Sequence, residues 1–91
     1  MNEKILNQVM EDLTIIYETK PYIRIENYFV YTSEIFGDCI SVTFGSFSNV
    51  TSDILNGILS KYDKVYWCIV PTEDKSIKIS IFQECLLHGN V

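Results

Sequence analysis

The spacing of apolar residues changes twice along this 91-residue chain from a helical period to a strand period. Between residues 3 and 18, apolar side chains recur every three or four positions, which places them on one side of a helix. From residue 22 they alternate with polar ones, as in a β-strand that has one buried face. The same change recurs after residue 51. The pattern therefore predicts helices packed against a sheet, because each element has one apolar side to bury.

The first helix is predicted to begin at residue 3 and to end near Thr19. Asn2 can cap its amino end, and Pro21 disfavours helical backbone at Lys20. Ile15 falls outside the apolar side and is expected to be exposed. The predicted buried side comprises Ile5, Leu6, Val9, Met10, Leu13, Ile16 and Tyr17.

A β-hairpin is predicted to follow this helix. Its first strand starts at Tyr22, and a bend near Glu26 and Asn27 is an open alternative to a straight strand. Gly37 interrupts the alternation before a second alternating run at residues 39–44, so the turn is expected close to that glycine.

The second half repeats the order of the first. Thr51, or a neighbouring Ser or Asn, is expected to cap a second helix, with Asp53 in its first turn. Residues 65–70 and 76–82 follow as strands, joined by an exposed turn at residues 71–75. The segment from Gln83 onward either extends the last strand or folds back. The predicted buried side of the helix comprises Ile54, Leu55, Ile58, Leu59 and Tyr62.

These elements predict a single α+β domain over residues 1–91. The fold class is a two-layer α/β sandwich in the order αββαββ, with a mostly antiparallel four-stranded sheet and both helices on one face. The strand order within the sheet is left open by the sequence.

The charge balance restricts the choice of partner. Twelve acidic and seven basic residues give a net charge of −5, and no two basic residues are adjacent. A protein that binds nucleic acid or an anionic membrane needs clustered Lys and Arg. We therefore expect neither as a direct partner, and favour another protein with a basic surface.

Composition also bears on source and compartment. Alanine is absent and Lys outnumbers Arg six to one, which is typical of low-GC coding and indicates a bacterial, phage or viral source. No apolar run approaches the ~20 residues that span a bilayer, and the amino terminus lacks the features of a signal peptide. Three widely spaced cysteines, Cys39, Cys68 and Cys85, favour reduced buried thiols over a disulfide framework. A cytoplasmic protein is expected.

Few residues suggest catalysis or metal binding. Cys85 and His88 have the spacing of two metal ligands, and with Cys39 and Cys68 they could compose a Cys₃His zinc site. Structural zinc sites usually contain two tight ligand pairs, and only one is present here. His88 is the only histidine, and no G-x-S-x-G motif occurs, so we expect no enzyme, no cofactor and no metal.

The loop at residues 45–49, from Gly45 to Asn49, precedes the second helix and could bind a small anion through free backbone N–H groups. It lacks P-loop spacing, and no nearby Lys or Arg is expected to add positive charge. Whether it binds an anion is left open.

Two surfaces are predicted to contact a partner. The first is the outward side of the second helix, which is small and nearly uncharged. It comprises Ser52, Asn56, Gly57 and Ser60. The second is the sheet face away from the helices, whose Tyr-rich composition is typical of interface cores. It is predicted to collect Tyr22, Tyr28, Val30, Tyr66, Cys68, Val70 and Phe82, with Arg24, Glu26 and Lys78 among them.

The leading functional hypothesis is a small non-enzymatic interaction module of the inhibitor or immunity type. It would block a basic, nucleic-acid-handling partner, as a phage-encoded counter-defence or anti-CRISPR protein does. The alternative is a homodimeric ligand-sensing or assembly module that uses the sheet face and the loop at residues 45–49.

Overall fold

The computed structural model describes residues 1–84 and confirms the predicted fold class. A short 3₁₀ turn precedes the first strand. The elements are α1 (Glu3–Thr19), the 3₁₀ turn (Pro21–Ile23), β1 (Ile25–Ser33), β2 (Gly37–Phe44), α2 (Asn49–Leu59), β3 (Val65–Val70) and β4 (Ile77–Gln83). None of the helices in this part of the chain is both long and apolar enough to cross a membrane.

The strand order is β1-β2-β4-β3, and every neighbouring pair is antiparallel. The last strand, β4, lies between β2 and β3, so the connection through α2 passes over it. As a consequence, β2 and β4 are the central strands and β1 and β3 form the two edges of the described sheet.

The core lies between the sheet and the two helices. From the central strands it receives large branched or aromatic side chains, each of which contributes about 1.5–3 kcal/mol when fully buried. The strands supply Ile40, Val42, Phe44, Ile79 and Ile81, and the helices supply Leu6, Val9, Leu13, Ile16, Leu55 and Leu59. We call this side of the sheet the inner face.

α1 has the predicted ends. The Asn2 side chain accepts hydrogen bonds from the backbone N–H of Lys4 at 2.9 Å and of Ile5 at 3.4 Å, and the helix ends at Thr19. Ile15 is exposed, as predicted. The prediction that Tyr17 is buried was wrong: it lies at the margin of the apolar side, about half exposed.

α2 begins too early in the sequence for Asp53 to lie in its first turn, where we predicted it. Ser48 is the N-cap residue, and its backbone N–H donates to Thr51 Oγ1 at 3.3 Å. The helix therefore starts at Asn49, and Asp53 lies beyond the first turn instead of within it. The capping residue is nevertheless one of the neighbouring serines that the sequence offered.

β1 contains an irregularity that reverses the orientation of its side chains. Ile25 pairs with Phe44, whereas Asn27 pairs with Thr43, so one extra residue, Glu26, is inserted between the two pairs. Such a bulge shifts the alternation of the strand by one position. Beyond Glu26, alternate residues therefore face the opposite side from the one that an uninterrupted strand would give them.

The bulge corrects two predictions. Tyr28 pairs with Val42 and Val30 pairs with Ile40, which places both on the inner face and not on the face away from the helices. Tyr22 was expected in the strand but lies in the 3₁₀ turn. The strand cannot begin there because Arg24, with φ of 60°, separates the turn from Ile25.

Candidate partner-binding surface

The face of the sheet opposite the helices, called here the outer face, has no helix of the described chain packed on it. Strand pairing determines its membership, because residues directly opposite each other lie on the same face. Its members are Asn27, Phe29, Tyr31, Cys39, Ser41, Thr43, Tyr66, Cys68, Val70, Lys78, Ser80 and Phe82. Large and small side chains are unevenly distributed among them.

The outer face forms a trough. The central strands β2 and β4 contribute small side chains such as Ser41 and Ser80, whereas the edge strands contribute larger ones such as Phe29 on β1 and Val70 on β3. The resulting depression has a volume of about 330 Å³. It is lined by Phe29, Tyr31, Ser41, Val70, Lys78 and Ser80.

A second depression, with a volume of about 490 Å³, lies between the end of α2 and the edge strand β3. It is lined by Asn56, Leu59, Ser60, Val65, Tyr66 and Trp67. Trp67 Nε1 donates a hydrogen bond to Asn56 Oδ1 at 2.8 Å across this depression. This hydrogen bond links α2 to β3, so the amide oxygen of Asn56 already has a partner inside the protein.

Ser41 lies at the floor of the trough and has an unsatisfied hydroxyl. The residue is only 2% exposed, and its Oγ has no hydrogen-bond partner within the described chain. An orphaned buried hydroxyl costs about 1–3 kcal/mol, and such groups are rare in folded proteins. The neighbouring Ser80 is satisfied, because its Oγ is hydrogen-bonded to Tyr31 Oη at 2.5 Å. Tyr31 reaches it from the edge strand by crossing β2.

An aromatic cluster occupies one end of the outer face. The Phe82 ring lies between Tyr66, at a centroid distance of 6.0 Å, and Phe36 from the β1–β2 turn, at 4.6 Å. Tyr66 is 47% exposed. This end of the face therefore presents aromatic area that the described chain leaves accessible.

The same end of the sheet carries four exposed carboxylates. Because the strands are antiparallel, the β1–β2 turn, the start of β3 and the end of β4 all lie at the same end of the sheet. Glu34, Asp38, Asp63 and Glu84 are located there, together with two cations, Lys64 and the amino-terminal ammonium of Met1, which donates to the backbone oxygens of Phe36 and Asp38. Within residues 1–84 the single ion pair joins Asp12 to Lys61 at 3.0 Å, so none of these four carboxylates has a cationic partner there.

The opposite end of the sheet is balanced in charge. Glu26, Glu73 and Asp74 are close in sequence to three cations at the same ends of the strands, Arg24, Lys75 and Lys78. The outer face therefore has two different ends. One end carries the aromatic cluster and the carboxylates, and the other carries Lys78 beside the trough.

The structure places only part of the predicted contact set on the outer face. Tyr66 and Phe82 lie there as predicted, together with Cys68, Val70 and Lys78. Tyr28 does not, because it faces the helices, where its hydroxyl is hydrogen-bonded to Thr14 Oγ1 at 2.7 Å.

Tyr22 is 64% exposed but lies in the turn before β1, outside the sheet. Phe29, Tyr31 and Phe36 are on or beside the outer face and were missed. The bend considered near Glu26 was the signal that could have found the first two, since a bulge there changes which side they face.

The outward side of α2 belongs to the helix layer, which packs on the inner face of the sheet. Asn56 is bonded to Trp67, Ser52 is half-buried, and Ser60 Oγ donates to the backbone oxygen of Gly57 at 3.0 Å. Gly57 is exposed, and a Cβ added there would meet nothing within 4 Å. Because Asn56 and Ser60 line the same depression as Tyr66, the two predicted surfaces adjoin at the β3 edge.

The loop at residues 45–49 has a basic neighbour that the sequence did not reveal. A Cβ at Gly45 would lie 3.1 Å from a guanidinium nitrogen of Arg24, and the Gly45 N–H donates to the Arg24 backbone oxygen at 2.9 Å. The expectation that no Lys or Arg is near this loop was wrong, because the fold brings Arg24 beside it. Phe47 anchors the loop through ring contacts with Phe44 and Trp67.

The two described cysteines differ in environment. Cys39 is buried, which raises the pKa of its thiol, whereas Cys68 is exposed, contrary to the expectation of buried thiols. No group of three or more His, Cys, Asp or Glu side chains in residues 1–84 is placed to hold a metal ion. Cys85 and His88 lie outside the described residues.

Comparison with known proteins finds no matching family model, no matching curated protein and no matching solved structure.

Proposed function

We propose that the protein is a non-enzymatic binding module of the inhibitor or immunity type, which uses its outer face to occupy the surface of another protein. The observation that carries this proposal is the exposed aromatic cluster beside four unpaired carboxylates at one end of the sheet.

The aromatic cluster provides the apolar part of the interface. Tyr66, Phe82 and Phe36 form one contiguous patch, and Tyr and Phe are enriched in interface cores because they bury large area at little entropic cost. Phe29, also 47% exposed, extends the apolar area along β1. A partner seated on this face would remove these rings from water.

The four carboxylates determine the kind of partner. Glu34, Asp38, Asp63 and Glu84 form no ion pair within residues 1–84 and outnumber the two cations at this end, so a basic surface gains from contact with it. Proteins that handle nucleic acid carry such surfaces, because they neutralise phosphates with Lys and Arg. We therefore propose a basic, nucleic-acid-handling protein as the partner.

The composition typical of low-GC coding supports a phage or bacterial source, and the reduced cysteines of the described chain, Cys39 and Cys68, support action in the cytoplasm. A counter-defence role is one setting in which a protein of this kind would act.

A homodimeric assembly module is a second candidate, and the edge strand β3 favours it. The six residues Val65–Val70 contain no charge and no proline, which are the usual means of protecting an edge from pairing. Two copies could pair along this strand and extend the sheet. The mass of the purified protein in solution separates the candidates, since a stable dimer supports the second and a monomer the first.

The proposal is tested with Tyr66→Lys, which places a charge in the aromatic cluster. Wild-type protein is immobilised, a bound partner is identified, and its affinity is then measured with both proteins purified. We expect Tyr66→Lys to weaken binding at least about tenfold without lowering thermal stability, because the side chain is exposed. Binding by the wild type should also weaken as salt concentration rises.

The matched control is Tyr22→Lys, which adds the same charge at an exposed tyrosine outside the sheet. It should leave the affinity unchanged. Equal binding by wild type and Tyr66→Lys, or equal loss in both variants, would show that the outer face is not the contact surface.

A further inference from the structure

The trough at the Lys78 end of the outer face has the features of a small-molecule site. Its volume of about 330 Å³ is within the range of about 300–1,000 Å³ that ligand pockets occupy, near the lower limit. Apolar walls are provided by Phe29, Val70 and the ring of Tyr31, and polar groups converge on it from Ser41, Ser80 and Lys78. A few polar groups in an apolar depression are typical of sites that orient a small ligand.

Ser41 gives the independent indication of a ligand. Its side chain is only 2% exposed and lines the trough. Its hydroxyl has no hydrogen-bond partner within the described chain. A buried hydroxyl without a partner is unfavourable for folding alone, so its presence calls for another explanation. A ligand atom that hydrogen-bonds to Ser41 Oγ supplies one.

The available donors specify the polar part of the ligand. Lys78 has three N–H donors and no acceptor, and it forms no ion pair in the described chain. The Ser41 hydroxyl has a free proton, and the single hydrogen bond between Tyr31 and Ser80 uses only one of their two hydroxyl protons. A group that accepts several hydrogen bonds and carries negative charge satisfies this set, and a carboxylate does both.

The walls specify the rest of the ligand. Phe29 and Val70 lie on opposite edge strands, so an apolar body between them contacts both. We propose that this trough binds a small organic acid, with its carboxylate toward Lys78 and Ser41 and an apolar or aromatic body between Phe29 and Val70.

The experiment is a titration of the purified protein with phenylacetate, followed by amide chemical shifts in two-dimensional NMR. Benzyl alcohol is titrated in parallel, because it has an aromatic body without the carboxylate. We expect saturable shifts with phenylacetate at Ser41, Lys78 and Ser80, and binding of benzyl alcohol that is at least about tenfold weaker. The absence of saturable shifts, or equal affinity for both compounds, would overturn the proposal.

Three variants assign the contacts. Lys78→Gln should weaken phenylacetate binding about tenfold, whereas Lys75→Gln, which removes the same charge from the exposed turn, should leave it unchanged. Ser41→Ala should weaken binding about fivefold while its unfolding midpoint stays at or above that of the wild type, because the orphaned hydroxyl is gone. Unchanged affinity in both Lys78→Gln and Ser41→Ala would refute the assignment.

This inference does not depend on the proposed function. The titration contains no protein partner, and the aromatic cluster around Phe82 lies toward the other end of the same face. Failure of phenylacetate to bind therefore leaves the partner surface unaffected, and failure of Tyr66→Lys to alter partner binding leaves the trough unaffected.

Discussion

The inner and outer faces of the two central strands differ although their residues alternate along the same backbone. On the inner face β2 and β4 carry large aliphatic and aromatic side chains, such as Val42 and Ile79, which the helices cover. On the outer face the same strands carry Ser41, Thr43 and Ser80, which leave a trough between the larger residues of the edge strands. The difference teaches that the stability of this sheet comes from one face, and that the other is available for binding.

The largest expected effect is a difference in the free energy of unfolding between substitutions at two adjacent residues of β4. Ile79→Ala removes a side chain buried in the core and should lower the free energy of unfolding by about 2–5 kcal/mol, because a cavity remains. Its neighbour on the outer face provides the control: Ser80→Ala should cost only about 0.5–1.5 kcal/mol, since it loses one hydrogen bond. Urea unfolding measures both. Equal losses would contradict the division between the faces.

A smaller effect tests the hydrogen bond between Tyr31 and Ser80, which crosses the trough and is called here the bridge. Tyr31→Phe keeps the ring but removes the hydrogen bond to Ser80, and should lower the free energy of unfolding by about 0.5–1.5 kcal/mol. Tyr22→Phe, at an exposed tyrosine whose hydroxyl has no hydrogen bond in residues 1–84, should leave stability unchanged. If both variants unfold at the same urea concentration as the wild type, the bridge contributes nothing to folding.

The smallest effect concerns pH and the thiol of Cys39 on the outer face. Burial raises the pKa of this thiol above its ordinary value of 9.0. Its contribution to stability is therefore complete below that pH and is lost as the pH rises toward the higher folded pKa, because the unfolded chain releases the proton first. Stability measured as the pH rises above 9.0 should therefore fall more steeply in the wild type than in Cys39→Ala. A slope unchanged by the substitution would argue against burial of the thiol.

Chemical labelling compares the two described cysteines directly. At pH 8, iodoacetamide should modify the exposed Cys68 at least about tenfold faster than the buried Cys39, as followed by mass spectrometry of peptides. Faster labelling of Cys39 would mean that the outer face around it is open.

Much of the fold could be predicted from local pattern, but the contact surface could be predicted only in part. Tyr66 and Phe82 were placed correctly because β3 and β4 alternate without interruption. Tyr28 was misplaced because one inserted residue, Glu26, reverses the alternation, and a bulge depends on how the strand pairs with β2. Arg24 was missed as a neighbour of Gly45 for the same reason, since their contact joins the two ends of the hairpin.

The sequence by itself determined the order of elements, the ends of α1 and the hairpin turn, because helix caps, proline and alternating hydrophobicity act over a few residues. Only the tertiary structure decided that β4 lies between β2 and β3, that Ser41 is buried without a partner, and that four carboxylates meet at one end of the sheet. Each of these depends on which strands become neighbours, and strand pairing joins residues that are far apart in the chain.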